Sequence, residues 1–133
     1  MATDKRILII DDEDDIREVV QITLEEMAGW ETAGAASGTE GLARAQSTTP
    51  DAILLDVMMP GEDGPSVLGK LKADPRTAAI PVIMLTAKAR TERNPPAGAA
   101  GVIVKPFDPR RLAGQVAELV GWSLPGKNSA HVD

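Results

Sequence analysis

Hydrophobic positions along this chain follow two alternating patterns. Short continuous apolar runs are typical of strands that are buried on both faces of a sheet. Between them, apolar residues recur every three or four positions, as on one face of a helix. The runs, of which the second is weak, are Ile7–Ile10, Glu31–Ala36, Ala52–Leu55, Pro81–Leu85 and Gly101–Val104. Strands and helices in strict alternation predict an α/β, doubly wound fold around a mostly parallel sheet.

About five helices are expected between and after these strands. The clearest apolar stripe ends near Gly29 and consists of Ile16, Val19, Val20, Leu24 and Met27. Other helices are expected to begin near Ser37, Pro65 and Asp108. The paired prolines Pro95 and Pro96 lack the backbone N–H donors that a continuous helix needs, so the fourth helix should be short or irregular.

Composition limits the class of protein. The chain has 133 residues, of which 43% are hydrophobic, enough for one domain with its own core. The absence of cysteine excludes disulfides and thiolate metal sites and fits a reducing cytosol. A net charge of −6 disfavours direct contact with nucleic acid, and the apolar runs are far shorter than a membrane span. We therefore expect a cytoplasmic domain over residues 1–121, followed by a flexible tail over residues 122–133.

Charged and hydroxyl side chains stand at the ends of four predicted strands. The first strand ends in Asp11 and Asp12, the third in Asp56, the fourth in Thr86 and the fifth in Lys105. Ligands of doubly wound folds bind outside the carboxyl ends of the strands, so these side chains should meet. An aspartate after a strand is most often only a helix cap or a turn residue. The coincidence at four strand ends is what indicates a functional site.

The chemistry of this residue set points to a hard cation and to phosphoryl transfer. Three carboxylates in one place repel each other unless positive charge lies among them. Oxygen ligands without His or Cys favour an ion such as Mg²⁺, which commonly uses one or two carboxylates plus water. With the Lys105 ammonium nearby, one carboxylate could then act as a nucleophile and form an aspartyl phosphate.

Four segments carry a resemblance to a known family. They are Ile7–Glu13, Leu54–Gly64, Ile80–Ala87 and Val104–Phe107. Together they resemble the receiver domains of two-component response regulators, over roughly residues 5–121. The resemblance implies a flavodoxin-like (βα)₅ fold, with a five-stranded parallel sheet of order 2-1-3-4-5 and helices on both faces.

The resemblance also implies a role for each site residue. Asp56 would be the phosphoacceptor, and Thr86 and Lys105 would contact the phosphoryl group. The Mg²⁺ ligands would be Asp11, Asp12, Asp56 and the backbone carbonyl of Met58. Pro106 follows a peptide bond that is commonly cis in the family. The phosphoryl donor would be a phosphohistidine on a sensor histidine kinase or a histidine phosphotransfer protein.

The expected output is a switch in protein–protein contacts within a phosphorelay, with an unknown downstream target. We expect a monomer or weak homodimer without a DNA-binding output domain in this chain. Catalysis would be limited to the domain's own phosphorylation and dephosphorylation, so it would not be a turnover enzyme.

Two departures from the family pattern are the residue at position 102 and the stretch from Thr86 to Lys105, which is a few residues shorter than usual. Val102 stands three residues before the lysine, where the family usually has Tyr or Phe, so Thr86 should respond to phosphorylation without gating by Val102. Met58 and Lys88 occupy positions that line the approach of hydrolytic water in the family. Because Met58 is apolar, we expect slow self-dephosphorylation.

Three alternative interpretations are less consistent with the sequence. A haloacid-dehalogenase-like phosphatase would need a second aspartate at position 58, which is Met58. A receiver-like scaffold without phosphorylation would have no need of the intact acidic set. The segment Gly64–Lys70 has the spacing of a phosphate-binding loop, but Leu71 replaces the required Ser or Thr and the segment has helical character. His131 stands alone in the predicted tail and offers no catalytic pair.

Overall fold

The computed structural model describes residues 5–57, 59, 61, 63–86, 98–105 and 108–122. Its strands are β1 (Arg6–Ile10), β2 (Glu31–Ala35), β3 (Ala52–Asp56), β4 (Val82–Thr86) and β5 (Gly101–Val104). Its helices within these ranges are α1 (Asp14–Ala28), α2 (Gly38–Thr48), α3 (Gly64–Ala73) and α4 (Pro109–Val120). The predicted strands are confirmed to within one residue, and α2, α3 and α4 begin within one residue of the predicted starts. None of the described helices is long and apolar enough to cross a bilayer.

The five strands form one parallel sheet in the order β2-β1-β3-β4-β5, as predicted. The order reverses direction at β1 and β3, which lie side by side in the centre of the sheet. Ile10 of β1 pairs with Leu55 of β3, and Asp56 pairs with Leu85 of β4. The carboxyl ends of the central strands therefore share one edge, which is where the predicted site residues lie.

Each face of the sheet is covered by helices, because successive strand residues point to opposite sides. On one face, Ile7 and Ile9 pack with apolar residues of α1 and α4, including Leu24 and Val116. On the other face, Leu8, Ile10 and Leu55 belong to a second cluster. That cluster takes its helical members from α2 and α3, namely Ala45, Val67, Leu68 and Leu71. Burial on both faces explains why the strands are continuously apolar.

Capping residues define the ends of the helices. The Ser37 hydroxyl and the Asp63 carboxylate accept hydrogen bonds from the backbone N–H groups of Glu40 and Ser66, at the starts of α2 and α3. α1 ends at Gly29, whose φ of 73° lies in the left-handed region that favours glycine. The segment Gly64–Lys70 lies within α3, which confirms the helical interpretation of the phosphate-loop-like spacing.

Trp122 is the last residue of the chain that the structure describes, and it packs against the domain. Trp122, which the sequence pattern places in the tail, makes an edge-to-face contact with buried Trp30, at 5.2 Å between ring centroids. It also packs against the core cluster of α1 and α4. The helix expected to be short or irregular around Pro95 and Pro96 lies outside the described residues, as does the tail after Trp122. The domain division itself stays a prediction.

Candidate metal and phosphoacceptor site

The strand ends bring the predicted side chains to one edge of the sheet. Asp11 directly follows β1, Asp56 and Thr86 are the last residues of β3 and β4, and Lys105 directly follows β5. The backbone N–H of Lys105 donates to the Thr86 carbonyl at 2.6 Å, so the lysine is held beside the end of β4. The parallel register, rather than any local motif, positions these residues together.

Three aspartates form a compact acidic cluster. One carboxylate oxygen from each of Asp11, Asp12 and Asp56 lies within 4.8 Å of the others. Asp11 and Asp56 are buried, with 0% and 4% of their surfaces exposed, whereas Asp12 is partly exposed. The cluster therefore presents one accessible and two buried carboxylates at the rim of the sheet.

The Lys105 ammonium neutralises part of this charge. Its Nζ lies 3.2 Å from Asp56 Oδ1, 3.4 Å from Asp11 Oδ2 and 3.8 Å from Glu13 Oε1. Burial by itself would lower the pKa of Lys105, but the charges and hydrogen bonds of Asp11 and Asp56 outweigh it and raise the pKa above its ordinary value. Lys105 therefore stays protonated throughout the physiological pH range.

The Asp11 carboxylate is fixed on both of its oxygens. Oδ1 accepts a hydrogen bond from the Glu13 backbone N–H at 2.9 Å, and Oδ2 faces the Lys105 ammonium. The Asp11 backbone N–H continues the sheet by donating to the Ala35 carbonyl at 3.0 Å. Both carboxylate oxygens of Asp11 therefore have partners within the protein.

Gly64 allows α3 to begin directly against the end of β3. A Cβ at Gly64 would lie 2.7 Å from the Val57 Cα and 2.9 Å from the Asp56 carbonyl oxygen. The Gly64 N–H donates to the Val57 carbonyl at 2.8 Å, which closes the loop after Asp56. The sequence places Gly64 at the end of a family-like segment and at the start of the phosphate-loop-like spacing, but does not reveal this close approach. The available signal was its place immediately before the helix-starting Pro65.

The chemistry of the donor set fits a hard divalent cation. All three candidate side-chain ligands are carboxylates, and the clustered oxygens are close enough for one ion to contact several of them. The Lys105 side chain is largely buried, and its ammonium lies close to Asp11 and Asp56. Asp12 is partly exposed. The predicted fourth ligand, the Met58 carbonyl, lies outside the described residues, as do Lys88 and Pro106.

Val102 lies on β5 opposite Met84 and is partly buried against the core cluster of α2 and α3. Its short branched side chain is thus part of the packing of the sheet. The expectation that Val102 does not gate Thr86 stays a prediction.

Sequence comparison identifies the family of this chain. The model of the response regulator receiver domain matches residues 7–117. The chain is 39% identical over 132 residues to the phosphate regulon transcriptional regulatory protein PhoB of Pseudomonas aeruginosa, covering 97% of this chain and 57% of that protein. It is 42% identical over 118 residues to the DNA-binding dual master transcriptional regulator RpaA of Synechocystis, covering 86% and 48%. The chain thus spans about half the length of the curated relatives it matches.

Solved structures agree with this assignment. The chemotaxis response regulator CheY4 of Vibrio cholerae superposes with a TM-score of 0.81 at 33% identity, over 88% of this chain and 99% of that one. The receiver domain of a signal transduction histidine kinase from Syntrophus aciditrophicus gives a TM-score of 0.77 at 34% identity, over 88% and 90%. This chain belongs to the response regulator receiver domain family of two-component signalling. Receiver domains interact with sensor kinases or phosphotransfer proteins.

Proposed function

We propose that Asp56 accepts a phosphoryl group from a phosphohistidine of a sensor kinase or phosphotransfer protein, in a reaction that requires Mg²⁺. The observation that carries this proposal is the position of the Lys105 ammonium, 3.2 Å from buried Asp56 and 3.4 Å from buried Asp11. A structural ion pair needs one carboxylate, whereas here one lysine contacts two members of a cluster of three. An excess of buried negative charge beside a cation is the arrangement expected of an ion-dependent phosphoryl site.

The proposed chemistry is a direct displacement at phosphorus. A carboxylate oxygen of Asp56 attacks the phosphorus, and a P–O bond forms as the P–N bond to the donor imidazole breaks. The imidazole nitrogen leaves with the bonding electron pair and takes up a proton. The Lys105 ammonium, already held beside Asp56, offsets charge on the phosphoryl oxygens, and the Thr86 hydroxyl is the expected hydrogen-bond donor to one of them.

Mg²⁺ would be held by Asp11, Asp12, Asp56 and, from the family pattern, the Met58 carbonyl. When bound, it supplies charge neutralisation that the single ammonium cannot provide. Asp12 is the only partly exposed carboxylate of the three, so it is the natural direct ligand from the solvent side. Asp11, whose oxygens face Lys105 and the Glu13 N–H, fits a contact through water.

The output of the switch would be a change in protein–protein contacts. Phosphorylation adds about −1.5 to −2 charges at one point of the domain. The whole chain has a net charge of −6, which disfavours direct contact with DNA. The DNA-binding function in the name of RpaA is therefore not assigned to these residues. The domain would act in the cytoplasm and catalyse only its own phosphorylation and dephosphorylation.

The decisive experiment measures Mg²⁺-dependent uptake of beryllofluoride and of phosphoryl groups from acetyl phosphate. Wild type should take up both in the presence of Mg²⁺, detected by NMR shifts around Thr86 and by the mass of the intact protein. Asp56→Asn should abolish covalent uptake while the protein stays folded. Asp12→Asn should require far more Mg²⁺, and Asp15→Asn, an exposed acid on α1 outside the cluster, should behave as wild type.

The same experiment separates the switch from a scaffold that only resembles a receiver. A wild-type domain that binds neither Mg²⁺ nor beryllofluoride would contradict the proposed function. Rapid decay of phospho-Asp56, within seconds, would contradict only the expectation of slow self-dephosphorylation.

A further inference from the structure

Arg17 of α1 connects the helix to the end of the first strand. Its Nη1 donates to the Asp11 backbone carbonyl at 2.8 Å, and its Nη2 donates to Asp14 Oδ1 at 2.7 Å. Only 19% of the Arg17 side chain is exposed, compared with 80% of the Asp14 side chain. The guanidinium therefore lies along the protein surface and makes its more buried contact with the main chain of the acidic loop.

This contact determines the direction of the peptide that joins Asp11 to Asp12. The Asp11 N–H is held by the Ala35 carbonyl of β2, and its carbonyl is held by Arg17. With both backbone groups of Asp11 bonded, rotation of the peptide that leads to Asp12 is restricted. Asp12 is the partly exposed member of the acidic cluster, so the direction of this peptide bears directly on where its carboxylate points.

A glycine on β2 provides the space that Arg17 occupies. A Cβ at Gly34 would lie 2.9 Å from Arg17 Cδ and 2.8 Å from Gln21 Oε1. Gly34 pairs with Ile9 in the sheet, and glycine in a strand interior is otherwise unfavourable. Its presence here is explained by the arginine side chain that crosses it.

We propose that Arg17 is a positioning residue for the cation site, and that Gly34 is required for its placement. Arg17 would orient the loop so that Asp12 faces the shared ion, without contacting the ion itself. This inference rests on the proposed function, since it presupposes a cation at the acidic cluster. It assigns a part in that site to two residues that carry no ligand atom.

The sign of the expected effect separates positioning from electrostatics. Removing a positive charge beside a dication site should strengthen cation binding if charge alone matters. Loss of the Asp11 carbonyl contact should instead weaken cation binding, because the ligands are then less well oriented. The two roles of Arg17 therefore predict opposite changes in Mg²⁺ affinity.

The test is a Mg²⁺ titration of the metal-free domain, in which binding is measured by calorimetry and by NMR of the backbone amides. Arg17→Met should bind Mg²⁺ about tenfold more weakly than wild type. Arg17→Lys keeps the positive charge but has a single donor group, so its Mg²⁺ affinity should lie between those of wild type and Arg17→Met. Asp14→Asn removes the negative charge of the exposed partner but leaves the Asp11 contact, so its Mg²⁺ affinity should stay within about threefold of wild type.

Gly34→Ala tests the same arrangement from the sheet. The added methyl group should displace the Arg17 side chain and weaken Mg²⁺ binding to a similar extent. The double variant Arg17→Met/Gly34→Ala should then bind Mg²⁺ no more weakly than either single variant. Both substitutions remove the same contact, between Arg17 and the Asp11 carbonyl. Circular dichroism and thermal unfolding report whether each variant is folded.

Two results would overturn the inference. One is a Mg²⁺ affinity of Arg17→Met that equals or exceeds that of wild type. The other is additive weakening in the double variant. Failure of the wild-type domain to bind Mg²⁺ at all would instead contradict the proposed function, so the two failures are distinguishable.

Discussion

The Lys105 ammonium lies 3.2 Å from the Asp56 carboxylate, although 49 residues separate the two in the chain. Asp56 ends β3 and Lys105 follows β5, with β4 between these strands in the sheet. The contact therefore reaches across a whole strand, over the end of β4. It exists because the three strands are parallel and end at one edge, which is the main structural basis for the proposed phosphoacceptor site.

Lys105→Met should destabilise the metal-free domain at neutral pH, by about 3 kcal/mol, because it leaves buried carboxylates without their cation. The folded-state pKa of Lys105 is raised above its unfolded value. Its stabilisation is therefore fully present below the unfolded pKa, about 10.4, and is lost as the pH rises through the folded pKa. Urea unfolding of both proteins between pH 8 and pH 11 checks this.

The difference in unfolding free energy between wild type and Lys105→Met should narrow only at the alkaline end of the range from pH 8 to pH 11. Lys105→Arg serves as the control, since arginine keeps its charge at pH 11. A gap between wild type and Lys105→Met that stays constant to pH 11 would contradict the assigned role of the ammonium.

Lys72 should show the opposite pH dependence. Its Nζ donates to the carbonyls of Ala78 and Ile80 at 3.0 and 2.7 Å, and burial lowers its pKa below the ordinary value. The cost of the buried charge is present below the folded pKa and disappears as the pH rises above the unfolded pKa. Wild type should thus gain stability relative to Lys72→Met as the pH rises from 8 to 11, measured by urea unfolding. If the stability of wild type relative to Lys72→Met fell over this pH range, the result would be inconsistent with a lowered pKa of Lys72.

Gly64→Ala should destabilise the domain by about 2 kcal/mol, because the new Cβ would meet main-chain atoms of Val57 and Asp56 that cannot move independently. At Gly69 of the same helix, an added Cβ would have no heavy atom within 4 Å outside its own helical turn. Gly69→Ala should therefore stabilise α3 by about 0.5 to 1 kcal/mol. Thermal and urea unfolding measure both. If Gly64→Ala and Gly69→Ala change the unfolding free energy equally, the close approach at Gly64 cannot be the cause of the destabilisation.

Trp122→Ala should lower the unfolding free energy by about 2 kcal/mol, since it removes the edge contact with Trp30. It also removes the ring beneath the Lys5 ammonium, which lies 4.9 Å from the Trp122 ring centroid. Trp122→Phe should recover more than half of the loss, because an aromatic ring remains. Unfolding can be followed by fluorescence, since the chain has only two tryptophans. An unchanged midpoint for Trp122→Ala would show that the predicted boundary at residue 121 was adequate.

Much of the fold and of the site could be predicted from the sequence. The continuous apolar strands Ile7–Ile10 and Ala52–Leu55 require burial on both faces, and this requirement holds whatever their partners are. Because the carboxyl ends of parallel strands share an edge, Asp11, Asp56 and Lys105 could be placed together before their distances were known. Residue type and strand period were sufficient for these conclusions.

The contacts of Arg17, Gly34, Gly64 and Trp122 were decided only by the tertiary structure. Each depends on how far a helix is rotated about its axis and how closely it approaches the sheet, and neither quantity follows from the order of apolar and polar residues. Gly34 and Gly64 are ordinary loop or strand glycines in the sequence, and they acquire meaning only when another segment packs within 3 Å of the place a Cβ would take. The chain by itself thus determined which groups meet at the sheet edge, and close packing between distant segments determined how firmly they are held there.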